Sequence, residues 1–312
     1  MHFQLLHTIR LRNDPRPAYF GVPALDNLIH TANASKPNPP PNPIVELTSQ
    51  APGSGTTHLL YHLTATAILP PSLGGRKACV AILDAEGTFS ASRLAQQLRH
   101  HNPSIDPEPA HAHVHIFRPQ SLPSLTATLI NLPTYFLHNP HASKHRPLAF
   151  IALDALSTFH WQAKAAEEDR RFAEVQHPNA ILEAEGKAKE KETPSVSTAL
   201  QTASTALSAP LLLTTHHHLT TTASTSPAPA PSLRLTLRRR PVRKFAPTLS
   251  VLEALREAGD RQRAVEGAGW EAVCEERGAA RGMGFGFGIG EGGVFVLEEG
   301  EEGRGGEGEA RG

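Results

Sequence analysis

Residues 44–57, IVELTSQAPGSGTT, decide the fold: a short apolar run passes straight into a loop with two glycines, and a helix pattern begins where the loop ends. A phosphate group is held by converging backbone N–H groups and a helix N-terminus, and this stretch supplies the length and placement for both. Gly53 and Gly55 allow close approach of the backbone, Ser54 and Thr56 complete the loop, and Thr57 stands where a hydroxyl can reach Mg²⁺. Two positions depart from the G-x-x-x-x-G-K-[ST] pattern: Gln50 replaces the first glycine and Thr56 the lysine. A charge-assisted contact contributes roughly 1.5–3 kcal/mol, so losing that lysine should weaken nucleotide binding by about tenfold to a hundredfold. A Gly-Ser turn at a strand–helix junction is the plain alternative.

Outward from this loop the chain alternates. ACVAIL (78–83), HVHIF (113–117), LAFIAL (148–153) and APLLLTT (209–215) read as further strands, several of them apolar almost without alternation. Such strands are buried on both faces. Helix-period leucines lie between them: Leu59, Leu60 and Leu63, then Leu94 and Leu98, then Leu122 to Leu132 ahead of Pro133. The pattern predicts an α/β fold, a mostly parallel doubly wound sheet on a P-loop core with helices on both faces. Ligands in such sheets bind beyond the carboxyl ends of the strands. There the second strand runs into Asp84-Ala85-Glu86 and the fourth into Asp154, on the same edge as the loop. An Asp in this place holds a Mg²⁺-bound water and a neighbouring Glu orients an attacking one; taken singly, either serves equally as a helix cap.

Composition narrows the class. Thirty basic residues balance thirty acidic ones in 312, so any contact with nucleic acid must come from a local patch. Cys79 and Cys274 cannot make a disulfide framework, and no apolar run approaches a membrane span, which predicts a soluble intracellular protein. KPNPPPNP (36–43) separates an N-terminal segment, 1–43, from a core at 44–297, with extra strands expected toward the C-terminus. The core carries a mixed-charge stretch at about 164–198, exposed helix then flexible linker, and a Thr/Ser/Ala/Pro loop at 216–232. The tail 298–312, six Glu and two Arg among glycines, is predicted to be disordered.

The most basic stretch is SLRLTLRRRPVRKF (232–245), where Leu233, Leu235 and Leu237 should face the sheet. Arg234, Arg238, Arg239, Arg240, Arg243 and Lys244 make it a candidate surface for DNA or an acidic partner, or else an edge strand guarded by charge. His111, His113 and His115 would project from one face of an extended segment, but with no cysteine nearby they read as a partly exposed strand start.

DAEGTFSASRL (84–94) closely resembles the stretch after the second core strand of eukaryotic RecA-type recombinases, and GVPALDNLI (21–29) is similar to the segment ahead of their ATPase core. LAFIALDALSTFHW (148–161) and GFGFGIGEGGVFVL (284–297) look like a recombinase paralogue reduced to that core. The resemblance implies a RecA-like fold, Glu86 as catalytic base, ATP and Mg²⁺ as cofactors, and a γ-phosphate sensor at His216, where the family ordinarily has Gln. It further implies a nuclear role in homologous recombination repair of double-strand breaks. The partners would be other RecA-like paralogues, with DNA, single-stranded or branched, met directly or through the complex. With Thr56 in the lysine position, ATP binding is expected to be weak or absent and the domain to serve mainly in assembly. The alternative is an active DNA-dependent ATPase that borrows a positive charge from a partner subunit.

Overall fold

The apolar run Ile44–Ser49 forms β1, buried along nearly its whole length, at the centre of the sheet. The computed structural model describes residues 18–34, 36–49, 51–176, 194–216, 229–242, 248–276, 278–290 and 293–297. The further strands are β2 (Cys79–Asp84), β3 (Val114–Phe117), β4 (Leu148–Asp154), β5 (Leu211–His216), β6 (Leu233–Arg239), β7 (Trp270–Val273), β8 (Gly284–Ile289) and β9 (Val294–Val296). They form one sheet in the order β3-β2-β4-β5-β1-β6-β7-β8-β9. Every pair from β3 to β6 is parallel, and β6 through β9 are antiparallel. This is the α/β arrangement expected, with antiparallel strands added at the C-terminal end, as in a RecA-like core.

Two apolar layers follow from the period of two along the strands. Val80 and Ile82 face one layer, packed with α1 (Pro23–Ala34), α2 (Thr56–Ile68) and α3 (Ala91–His101). Cys79, Ala81 and Leu83 face the other. A short helix, α4 (Glu108–His111), precedes β3; α5 (Leu122–His138) and, after the exposed α6 (His160–Gln176), α7 (Val196–Leu207) cover the second face. Each fully buried leucine in these layers contributes about 1.5–3 kcal/mol.

Two details differ from the sequence-based expectation. The stretch expected to stand ahead of the core is in part core itself: Phe20, Leu25 and Ile29 are fully buried in the first layer, with the Phe20 ring 5.4 Å from that of Phe150. Asp26 fixes this entry by accepting the N–H groups of Tyr19, Phe20 and Gly21. Helix α5 runs through Pro133 instead of ending before it. Its last turn packs Tyr135 and Phe136 against the His115 ring at 5.5 and 5.0 Å, which offsets part of the roughly 3 kcal/mol cost of an interior proline. After β6 the chain forms α8 (Val251–Gly267), which starts from a complete Ser250–Glu253 capping box and runs through Gly259.

The Gly-rich segment has an ordered logic. Gly284, Gly286 and Gly288 alternate with Phe285, Phe287 and Ile289 along β8, so one face carries no side chains. A Cβ at Gly284 would sit 2.2 Å from the Ala272 carbonyl oxygen, and one at Gly288 only 2.1 Å from the Phe295 ring. The glycine face is where β7 backbone and Phe295 come close. The 298–312 tail and most of the 216–232 loop lie outside the described residues. Among the described residues no helix is long and apolar enough to cross a membrane.

Candidate nucleotide cleft

The loop after β1 lies over the start of α2, where Gly53 and Gly55 both adopt left-handed backbone angles, φ 79° and 87°. Ser54 turns inward: its hydroxyl donates to the Ala51 carbonyl at 2.5 Å and accepts the Ala51 N–H at 3.2 Å, closing the turn. A Cβ at Gly53 would meet nothing within 4 Å, so that side of the loop is open to a ligand. The cleft beside it, about 470 Å³, is lined by residues 51–58 together with Tyr61, Glu86, Thr88, Arg93, Asp154, Thr214 and Thr215.

The structure thus brings Gly53, Ser54, Gly55, Thr56, Thr57, Glu86 and Asp154 to one cleft, because β1, β2, β4 and β5 end at the same edge. The two strand-end aspartates lie in register, Asp84 opposite Asp154, yet they do different things. Asp84 is buried and accepts the N–H groups of Thr88 and Phe89, with Arg118 Nε at 3.4 Å from Oδ2; it holds the turn that carries Glu86. Glu86 itself is exposed, and the Thr158 hydroxyl donates to it at 3.2 Å. Asp154 is buried in the cleft and accepts the Thr214 hydroxyl at 2.6 Å through Oδ1. Burial raises its pKa; the Thr214 bond lowers it, and the charges of Asp84 and Glu86 raise it further. A divalent cation would relieve that crowding. The Thr56 hydroxyl oxygen is buried without a hydrogen-bond partner, an orphan that a phosphate oxygen would satisfy. Residues of this kind could hold Mg–nucleotide, with the loop amides and Thr56 available to phosphate and Thr57 and Asp154 to the metal.

The backbone of His216 pairs with Ser49 at the end of β5, beside the loop; its side chain lies outside the described set. The structure also places Arg93, from α3, on the wall of the cleft. The Tyr61 hydroxyl, also on the wall, accepts the Ser90 N–H at 2.7 Å. The signal for Arg93 lies in DAEGTFSASRL, within the first turn of α3, but its reach depends on how α3 packs on α2.

The basic strand is largely spoken for within the chain. Leu233, Leu235 and Leu237 are buried as the alternation requires. Arg234 Nε lies 2.7 Å from Glu46, a buried carboxylate on β1 that also accepts the Thr215 hydroxyl, and it pairs with Glu276 as well. Arg238 lies 2.6 Å from Glu271 and 3.6 Å from Glu275, and Arg240 lies 3.9 Å from Glu271. Arg239 donates to the Val265 carbonyl and rests over the Trp270 ring, 5.1 Å from its centroid. Arg243 and Lys244 lie outside the described residues. The histidines expected on one strand face separate: His111 ends α4, while His113 and His115 share the Ser143 hydroxyl at 3.0 and 2.8 Å.

No family model matches the chain. Over 112 residues it is 32% identical to DNA repair protein XRCC2 of Mus musculus, a stretch that covers 35% of this chain and 38% of that protein. The chain therefore spans well under half the length of the relative it matches, and it bears a distant relationship to XRCC2.

Proposed function

We propose that this chain is a nuclear DNA repair protein, acting in homologous recombination repair of double-strand breaks as one subunit of a complex of RecA-like recombinase paralogues. The observation that carries the proposal is a cleft with the shape of a nucleotide site whose phosphate loop lacks its lysine, in a chain related to a DNA repair protein. Loop amides, the Thr57 hydroxyl and the Asp154 carboxylate remain to bind Mg–ATP. Without a lysine ammonium at position 56, the charge that develops on a transferring phosphoryl group meets less positive charge in the cleft. The site accordingly binds nucleotide weakly, turns it over poorly, and serves chiefly to set the shape of an assembling subunit.

Calorimetry with Mg–ATP tests the cleft: wild type should give little or no heat and Thr56→Lys should bind at least tenfold more tightly. No heat from a folded Thr56→Lys protein would remove the nucleotide reading. The cellular half is tested by depleting the protein and scoring a break-induced recombination reporter; unchanged repair would count against it. A second reading, an active DNA-dependent ATPase, is favoured by Arg93 on the cleft wall and by Glu86, held toward it by Thr158. Turnover in wild type that disappears in Glu86→Gln would establish it.

A further inference from the structure

The phosphate loop is gripped from the far end of the chain. Trp270, the first residue of β7, donates its indole N–H to the Gly53 carbonyl at 2.8 Å across 217 positions of sequence. From β8, Phe287 and Ile289 close on Gly55: a Cβ there would stand 2.9 Å from the Phe287 ring and 3.1 Å from Ile289 Cδ1. Trp270 and Phe287 are themselves stacked, centroids 6.3 Å apart with 22° between planes. Behind the indole, Arg239 of β6 sits over the ring and reaches the Val265 carbonyl of α8. Loop, indole, guanidinium and helix therefore form one continuous chain of contacts.

This grip bears on a particular weakness. In the present chain the lysine position of the loop holds Thr56, whose hydroxyl finds no partner, so the loop is tied internally by the Ser54–Ala51 pair and from outside by Trp270. A bond to the Gly53 carbonyl fixes the peptide whose neighbours must aim their N–H groups at a ligand. The hold comes from the connection between β6 and β7, the part of the fold that carries α8 and the arginines. A ligand or partner that drew Arg239 off the indole would thus act on the loop without entering the cleft.

We infer that Trp270 is a positioning residue for the phosphate loop, coupling the β6–α8–β7 connection to the cleft; its consequence for nucleotide rests on the reading of that cleft given above. Hydrogen exchange of the full-length protein without nucleotide tests the grip directly. Trp270→Phe keeps an aromatic ring between Arg239 and Phe287 but has no N–H to donate. Exchange in peptides covering 51–57 should quicken by about twofold to tenfold, the range for one lost hydrogen bond, while β4 peptides stay at the wild-type rate. Unchanged exchange at 51–57 in a folded Trp270→Phe protein would overturn the inference, and so would a uniform rise across β4, which marks general destabilisation. A second readout uses the indole itself: in Trp161→Phe, which leaves Trp270 as the sole tryptophan, emission should shift on replacing Gly53 by Ala, and an unmoved spectrum speaks against contact. Adding Trp270→Phe to Thr56→Lys should then weaken Mg–ATP binding by the same two- to tenfold. Silence of Thr56→Lys toward Mg–ATP would sink the nucleotide reading alone, since the exchange result does not depend on it.

Discussion

The parallel half of the sheet, β3 to β1, and the antiparallel half, β6 to β9, solve burial in opposite ways. In the parallel half, β2 and β4 are buried at every position and the polar chemistry is pushed to the strand ends, where Asp84, Glu86 and Asp154 collect. In the antiparallel half the chemistry lies along the strands: arginines of β6 face glutamates on and after β7, and β8 gives one whole face to glycine. The first half makes the cleft, and the second reaches over to hold its loop. A site of this kind is only as firm as the seam between them.

The seam is the β1–β6 pairing, where Glu46 lies opposite Arg234. Glu46 is buried while Arg234 is about a third exposed, so Arg234→Ala leaves a partly screened carboxylate uncompensated and should cost about 2 kcal/mol, read as a lower urea midpoint. Joint replacement, Glu46→Leu with Arg234→Met, should bring stability back to within about 1 kcal/mol of wild type. Failure of that recovery would mean the seam depends on charge itself and not on filling the space.

Acid sharpens the comparison because a buried histidine lies at each end of the sheet, His62 of α2 beside β9 and His115 on β3. His62, packed on His101 and Gln97 beside β9, has its pKa pushed down to about 4, first by burial and then by His101, and His115 at the β3 edge is likewise pushed to about 4 by burial and by His141. The unfolded chain takes up these protons near pH 6.5, well before the folded one does, so stability is full above that value and is lost as pH falls from about 6.5 to 4. For His62 the loss between pH 7 and pH 5 is about 2 kcal/mol. Thermal melts across this range should flatten in His62→Gln and in His115→Gln; a profile unchanged in either would show that histidine to be solvated.

The smallest effect belongs to the outer pairs. Arg238 is largely solvated beside Glu271, so Arg238→Ala should move stability by only about 0.5 kcal/mol. A loss comparable to that of Arg234→Ala would dissolve the distinction between seam and surface.

The same contrast explains what could be read from the chain. Runs such as LAFIALD declare a strand buried on both faces, and a carboxylate at the end of such a run declares the edge, so the parallel sheet and the convergence of Glu86, Asp154 and the loop were legible. RLTLRRR declares its buried leucines and its charge, but not what the charge pairs with. That its partners would be Glu271 and Glu275, beyond a 17-residue helix, follows from an antiparallel register that no local pattern encodes. Gly at every second position of β8 suits an ordered strand and a flexible linker equally, until the Ala272 carbonyl and Phe295 are known to lie against it. Pro133 points to a helix end when local propensity is weighed without the Tyr135 and Phe136 rings that pack beyond it.

Gln97 has one more consequence. Its side-chain amide donates to the Val294 carbonyl at 3.1 Å and accepts the Val294 N–H at 2.8 Å, so a single residue of α3 mimics a neighbouring strand. An incoming chain seeking to extend the sheet beyond β9 would need those two groups and finds them taken. The glycine-rich margin is in effect stoppered, and a short hairpin with an exposed Phe295 is kept from becoming a template for self-association.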